Sequence, residues 1–141
     1  MLTIIRRLEF DAGHRVMNHE SKCATLHGHR YVIEIEASAK DLDSIGRIID
    51  FSVLKEKIGT WLDENWDHNL ILFKDDIETV TAAKSIPRKK EPFICEWNPT
   101  AENLASFLLK EVCPHLMQGT DIFITAVTVH ETPNCKAVAR L

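Results

Sequence analysis

Hydrophobic and polar positions alternate in two segments near the start of the chain, and this alternation predicts β-strands there. Residues 3–14 carry apolar side chains on one parity, and His14 lies on that parity at the end of the segment. Residues 29–37 alternate in the same way, with His29 on the apolar parity. Because side chains of one parity share one face of a strand, both strands are expected to turn a histidine toward the core.

Apolar residues spaced by three and four positions predict two helices further along the chain. The first covers residues 50–65, where Asp50 can cap the N-terminus. Its predicted buried stripe consists of Phe51, Leu54, Ile58, Trp61 and Leu62. The second begins at Asn98-Pro99-Thr100, with Asn98 as the expected cap and Pro99 in the first turn. Its predicted stripe consists of Leu104, Phe107, Leu108 and Val112.

Two further strands are predicted near the end of the chain, at residues 121–131 and after the turn Thr132-Pro133-Asn134. Residues 73–97 contain Pro87 and Pro92 and lack sustained periodicity, so we expect a long irregular excursion there. The order of elements predicts an α+β domain in which an antiparallel four-stranded sheet carries two helices on one face.

Length and charge narrow the class of protein. A chain of 141 residues is the usual size of one domain, and residues 1–141 are interpreted as a single domain. Its 17 basic and 21 acidic residues give a net charge of -4, so nucleic acid is not an expected partner. The sequence shows no secretory signal and no apolar run of about 18 residues, so we expect a cytoplasmic protein without a membrane segment. Its four cysteines show no close pairing, and no disulfide framework is expected.

The run Cys23-Ala24-Thr25-Leu26-His27-Gly28-His29 carries the clearest chemical signal. His27 and His29 point to the same side of an extended backbone, and His14 from the neighbouring strand can complete a face of three nitrogens. A lone histidine on an apolar face is more often a hydrogen-bonded core residue, but three that converge favour a metal site. Three histidines suit zinc, Zn2+, and leave one coordination position open for water or substrate.

Two further groups can move protons, and each has an alternative role. Cys23 is either a small buried hydrophobe or, near a dication, a thiolate able to remove a proton. Asp67 can orient His68 for proton transfer, or the pair can simply form the turn before the apolar run Leu70-Ile71-Leu72.

Two carboxylates are candidates for ligand binding. Glu131 shares the parity of Val127 and Val129, and its carboxylate can accept two N–H bonds from the edge of a heterocycle. Glu102 lies near a helix start, where it either contacts a ligand or stabilises the helix dipole.

Taken together, five segments resemble the 6-pyruvoyltetrahydropterin synthase family over nearly the whole chain. These segments are Phe10–His14, Cys23–His29, Asp67-His68, Pro99–Asn103 and His130-Glu131-Thr132. The four-residue step from Cys23 to His27 resembles the branch of the family that forms 6-carboxy-5,6,7,8-tetrahydropterin in queuosine biosynthesis. The pyruvoyl-forming members typically have a longer step.

The resemblance implies the tunnelling fold (T-fold), in which subunits join their sheets into an oligomeric β-barrel, here a homohexamer made of two stacked trimers. It implies that zinc is held by His14, His27 and His29. It also implies that Cys23 is the catalytic base, with Asp67 and His68 completing the proton-transfer group. Glu131 would anchor the pterin ring, with Thr100 and Glu102 around the substrate. The implied substrate is 7,8-dihydroneopterin triphosphate, a small pterin, and the implied products are 6-carboxytetrahydropterin, acetaldehyde and triphosphate.

Other functions remain open on the sequence. The nearest is a pyruvoyl-forming synthase, and one of a different class is a noncatalytic assembly protein that binds zinc or pterin. A folate-pathway aldolase on the same fold would more naturally carry a carboxylate in place of the Cys23 thiol. The basic run Arg88-Lys89-Lys90 lies in an excursion longer than in compact bacterial members, and it meets either a triphosphate or only solvent. The solvated alternative is preferred for this run.

Overall fold

The computed structural model describes residues 1–141. Its strands are β1 (Ile4–His14), β2 (His27–Ala39), β3 (Asn69–Phe73), β4 (Phe93–Cys95), β5 (Ile122–Thr132) and β6 (Cys135–Arg140). Its helices are α1 (Phe51–Leu54), α2 (Thr60–Asn65), α3 (Ile77–Ser85), α4 (Ala101–Phe107) and α5 (Cys113–Leu116). A π-helical turn at Lys55–Gly59 joins α1 to α2, and a second at Leu108–Val112 joins α4 to α5. The loop between β1 and β2 contains a 3-10 turn, Lys22–Ala24.

The strands form one mixed sheet in the order β4-β3-β1-β2-β5-β6. Strands β1, β2, β5 and β6 pair antiparallel, as the alternation predicts, whereas β3 and β4 add parallel pairs at one edge. The prediction of a four-stranded, wholly antiparallel sheet is therefore wrong. Strand β3 is missed because Ile71 and Leu72 are both fully buried, and a strand buried on both faces is a continuous apolar run without alternation.

The excursion at residues 73–97 is more regular than predicted, since it contains α3 and β4. Helix α3 gives no apolar periodicity because it packs little of its surface. Ile77 is 70% exposed, and Ala83 is the only buried residue of the helix. Asp76 supplies the cap that starts this helix, accepting the backbone N–H of Thr79 at 3.5 Å.

The two longer helical segments lie where the periodicity predicts them, with differences at their starts. Asp50 caps α1 by accepting the Ser52 N–H at 2.8 Å, as expected, but Phe51 is 49% exposed and not part of the buried stripe. The cap of α4 is Thr100, whose hydroxyl accepts the Asn103 N–H at 3.2 Å.

Asn98, the predicted cap, has a different role. Its side chain accepts the Met17 N–H at 2.9 Å and donates to the Met17 carbonyl at 2.8 Å. The prediction fails because this long-range bonding of an asparagine to the loop after β1 leaves no local trace in the sequence. These two hydrogen bonds fix the loop that carries Cys23 to the chain just before α4.

The helices cover one sheet face and enclose a core of 24 buried residues. Phe10 stacks on Tyr31 within this core, with ring centroids 5.1 Å apart, and Trp66 packs against Phe10. The other parity of the antiparallel strands is not covered and carries paired charges, such as Arg30 with Asp11 at 3.1 Å. No helix is both long enough and apolar enough to cross a bilayer.

Two strand edges of the antiparallel part lack a partner strand within the chain. Residues 4–11 of β1 pair only with β2, because β3 meets β1 at residues 12–14 alone. Strand β6 pairs only with β5. The sheet is therefore open in a single chain.

Candidate functional site

Three histidine rings converge where β1 and β2 meet. The strand register pairs His14 with His27 and places His29 opposite Ala12, so the three side chains occupy the same face. The Nε2 atom of His27 lies 3.1 Å from that of His14 and 3.0 Å from that of His29. His14 is fully buried, while His27 and His29 are partly exposed. The structure thus brings together the three residues that the sequence groups as metal ligands.

Backbone carbonyls orient two of these rings. The Nδ1–H of His14 donates to the Pro99 carbonyl at 2.7 Å, and that of His27 donates to the Thr25 carbonyl at 2.6 Å. Because a carbonyl can only accept, each neutral ring carries its proton on Nδ1 and turns an Nε2 lone pair toward the other histidines.

This donor set fits a zinc ion. Lone pairs that face each other at 3.1 Å repel unless a cation lies between them. Nitrogens bound at about 2.0–2.1 Å around a tetrahedral zinc would lie about 3.3 Å apart, close to the spacing found here. Burial is the main cause that lowers the pKa of the His29 imidazole, and the neutral imidazole is the form that binds a metal.

Glu131 lies against the same three rings. Its Oε1 atom is 3.2 Å from Nε2 of His14 and 3.1 Å from Nε2 of His29, so the four side chains form one cluster. In the metal-free site a second proton on the His14 ring, carried on Nε2, would hydrogen-bond to Glu131, and this contact is the main cause that lowers the pKa of the Glu131 carboxyl. The sequence predicts an anchor for a heterocycle here, and the structure adds a carboxylate oxygen within reach of a metal held by the histidines.

Glu131 also borders a cleft of about 450 Å³ that contains Glu102. The other lining residues are Ala101, Cys135, Lys136, Ala137 and Val138. Glu102 is exposed in the first turn of α4, so both of its alternative roles are compatible with its position. Thr100 uses its hydroxyl to cap the same helix. The two carboxylates singled out in the sequence therefore share one cleft.

Asp67 and His68 follow α2 and form a bonded pair. The Nδ1–H of His68 donates to Oδ2 of Asp67 at 2.9 Å, and Oδ1 of Asp67 accepts the Asp11 N–H at 3.0 Å. Burial by itself raises the pKa of Asp67, but the Asp11 N–H and His68 outweigh it, and the net pKa is lowered. The imidazole is 75% exposed. The pair is thus an ionised aspartate that orients an accessible imidazole.

Cys23 is partly buried in the 3-10 turn and belongs to neither cluster. Its carbonyl accepts the Val16 N–H at 2.8 Å, which closes the loop between β1 and β2. The sequence places the Cys23 thiol, the Asp67–His68 pair and the histidine face in one site. Within one chain the structure gathers the histidine face and the Asp67–His68 pair as two separate clusters.

A cleft of about 480 Å³ reaches from His29 to His68. Gly13 and Gly28 face each other across β1 and β2 beside it and border this cleft. A Cβ on Gly13 would lie 2.7 Å from the Leu70 side chain, and one on Gly28 would lie 3.2 Å from the Ala12 carbonyl oxygen. Gly28 therefore lies where the backbone of β1 approaches closely and leaves little room for a side chain.

Two basic residues of the excursion contact the turn that carries Asp67 and His68. Nη2 of Arg88 donates to the Asn69 side-chain oxygen at 3.1 Å. Nζ of Lys90 donates to the Asp67 carbonyl at 2.7 Å and to the Asp63 carbonyl. The preferred interpretation of Arg88-Lys89-Lys90 as a solvated run is therefore wrong for Arg88 and Lys90. The sequence offers no signal for these contacts, which span 19 to 27 positions.

Comparison with known proteins gives concordant matches. The sequence profile of the 6-pyruvoyl tetrahydropterin synthase family matches residues 3–141. A Rickettsia conorii protein named 6-carboxy-5,6,7,8-tetrahydropterin synthase is 44% identical over 135 residues, covering 96% of this chain and 97% of that protein.

Solved structures show the same fold. An uncharacterized protein of Wolinella succinogenes has a TM-score of 0.82 at 23% identity, covering 99% of this chain and 97% of that one. The 6-pyruvoyl tetrahydropterin synthase of Caenorhabditis elegans has a TM-score of 0.67 at 21% identity, covering 99% of this chain and 95% of that one. The fold is thus the T-fold expected from the resemblance.

Proposed function

Because the chain belongs to the 6-pyruvoyl tetrahydropterin synthase family, we propose that it converts 7,8-dihydroneopterin triphosphate to 6-carboxy-5,6,7,8-tetrahydropterin, acetaldehyde and triphosphate. Family membership and the named relatives make it an enzyme, a pterin synthase of the lyase type that acts on small pterins. The proposed reaction belongs to queuosine biosynthesis. The observation that carries the proposal is the convergence of three histidine Nε2 atoms beside an ionised carboxylate.

His14, His27 and His29 would hold the zinc ion of this enzyme. When bound, the ion supplies Lewis-acid polarisation of substrate oxygens. The carbonyls of Pro99 and Thr25 keep two of the rings in the tautomer that binds metal. Glu131 is near enough to add a carboxylate to this set until substrate arrives.

His68 and Cys23 would move the protons. Asp67 stays ionised, orients the imidazole through Nδ1 and stabilises the imidazolium that forms when Nε2 takes up a proton. Cys23 would act as the base through its Sγ atom. The exposure of the imidazole, 75%, supports this assignment, because it leaves His68 open to a substrate.

Glu131 would hold the pterin ring. An ionised carboxylate can accept two N–H bonds from an aminopyrimidinone edge, and the lowered pKa keeps Glu131 in that form. Glu102 lines the same cleft, and Thr100 fixes the start of the helix on which Glu102 lies. We propose both as residues around the substrate.

The two open strand edges support an oligomeric barrel. If β6 of one subunit pairs with the free edge of β1 in the next, three four-stranded antiparallel sheets close a ring without exposed edges. The uncovered charged face would then line the interior. We propose this arrangement, with two such trimers stacked as a homohexamer.

Product analysis tests the proposed reaction. The zinc-loaded protein should turn 7,8-dihydroneopterin triphosphate into equimolar acetaldehyde and 6-carboxytetrahydropterin, measured by liquid chromatography with mass spectrometry. Cys23→Ala should retain zinc and lose turnover, with Ser21→Ala, at an exposed site in the same loop, as the control. A 6-pyruvoyl product without acetaldehyde would move the protein to the pyruvoyl-forming branch. No turnover at all would overturn the proposal.

A further inference from the structure

Arg88, Lys90 and Glu91 of the excursion are hydrogen-bonded to the turn that carries Asp67 and His68 or to Asn69 directly after it. Asn69, which is 95% buried, receives the guanidinium of Arg88 and donates from its side-chain nitrogen to the Glu91 carbonyl at 2.9 Å. Lys90 reaches the same turn through its ammonium group.

The turn itself has an unusual backbone. His68 has a φ of +54°, in the left-handed region that side chains with a Cβ rarely adopt. Such a conformation persists only when the surrounding contacts determine it. The hydrogen bonds to the peptide group before His68 therefore show what holds His68 in this conformation.

That group is the peptide unit between Asp67 and His68, and it is bonded at both ends. Its carbonyl oxygen accepts from Nζ of Lys90 at 2.7 Å, and its N–H donates to the Asp11 carbonyl at 2.7 Å. The orientation of this unit sets ψ of Asp67 and φ of His68, and so the direction in which the imidazole leaves the backbone.

Lys90 also connects this unit to α2. Its ammonium binds the Asp63 carbonyl in the last turn of that helix, where backbone carbonyls lack helical partners. A cation near the end of a helix is also favoured by the helix dipole. One ammonium group thus joins the end of α2 to the peptide unit before His68.

From this geometry we propose that Lys90 is a positioning residue for the Asp67–His68 pair. It acts through the backbone and does not touch the substrate. Its consequence for catalysis rests on the proposed function, in which His68 moves a proton. Removing the ammonium would free the carbonyl end of the peptide unit and let His68 relax toward ordinary backbone angles.

The test uses Lys90→Met, which keeps a long unbranched side chain but removes the cation. Lys89→Met is the matched control, because Lys89 is exposed and lies one position away. Lys90→Arg keeps a cationic donor, so its amide exchange and its kcat should stay close to those of the wild type. Hydrogen exchange of the Asp67–Asn69 amides, followed by mass spectrometry on the intact oligomer, should accelerate about tenfold or more in Lys90→Met alone.

Kinetics with the pterin triphosphate should change in the same variant. We expect kcat to fall about 10- to 100-fold with KM within about twofold, since a misplaced proton-transfer group slows the chemical step. Unchanged kcat, or unchanged exchange at Asp67–Asn69, would overturn the proposal. Equal acceleration of exchange across β1 and β2 would also overturn it, because Lys90 would then act on general stability. A wild type without turnover refutes the proposed function, while the exchange data still decide whether Lys90 sets the turn.

Discussion

Separate backbone carbonyls orient the rings of His14 and His27, so removing one of these rings should change metal binding without reorienting the other. His27 is the most suitable position, because it is partly exposed and its Nδ1 contact is local to the strand start. In His27→Ala, zinc affinity should fall more than about 100-fold, beyond the loss typical of a residue that only orients a ligand. Competition with a zinc chelator measures it.

His115→Ala provides the control for this prediction, since His115 is exposed on α5 and far along the chain from the cluster. The zinc affinity of the His115→Ala protein should match that of the wild type. A His27→Ala protein that keeps full zinc affinity would contradict the ligand assignment.

The four cysteines should differ in reactivity. Burial raises the pKa of the Cys95 and Cys113 thiols to about 12, so both stay protonated and inert at pH 8. Iodoacetamide at that pH should modify Cys23 and the exposed Cys135 first, as peptide mass spectrometry can show. Rapid labelling of Cys95 or Cys113 in the folded protein would contradict this order. The same shifts make stability fall as pH rises above about 9, where the unfolded thiols ionise and the folded ones do not.

At the scale of elements, the contribution of a helix cap to the free energy of unfolding can be measured at the start of α4. Thr100→Ala removes the hydroxyl that accepts the Asn103 N–H, and the free energy of unfolding should fall by about 1 kcal/mol. Thr100→Ser keeps the hydroxyl and should stay near the wild type. Urea unfolding at fixed protein concentration compares the two, and an unchanged midpoint for Thr100→Ala would show that the cap contributes nothing.

The elements also show what a sequence can predict. Alternation located β1, β2 and β5 and gave the parity of His14 and His29, because one face of these strands is buried and the other is not. The same criterion misses β3, whose Ile71 and Leu72 are both buried. Helix α3 is missed for the opposite reason, since it buries only Ala83.

Long-range hydrogen bonds limit the prediction of the site in a similar way. The proposed metal ligands follow from residue type and parity, which are local. The contact of Lys90 with the Asp67 carbonyl depends on how two distant segments pack, and an exposed basic run gives no hint of it. The same holds for Asn98, which bonds to Met17 instead of capping a helix.

For the whole molecule, the open strand edges predict a specific assembly. Six chains of 16.1 kDa would give about 97 kDa, which light scattering after size exclusion can distinguish from a trimer or a monomer. Val138→Lys places a charge on β6, 44% exposed, and should shift the mass toward smaller species. Ile86→Lys, at a site 58% exposed just after α3, should leave the mass unchanged. A wild type that stays monomeric at micromolar concentration would contradict the barrel.

The glycines beside the cleft differ in kind from those in the loops. Gly46 and Gly119 have φ values of +90° and +79° with open space around them, so asparagine, which tolerates these angles, is an acceptable replacement. Gly13 has no such angle, and its constraint is the 2.7 Å approach of Leu70. Because Cδ2 is the end of the partly exposed Leu70 side chain, a small replacement at Gly13 fits once that side chain turns aside. In a mutational survey, Gly13 should therefore tolerate alanine alone, and larger side chains better when position 70 is also small, a dependence that single substitutions cannot reveal.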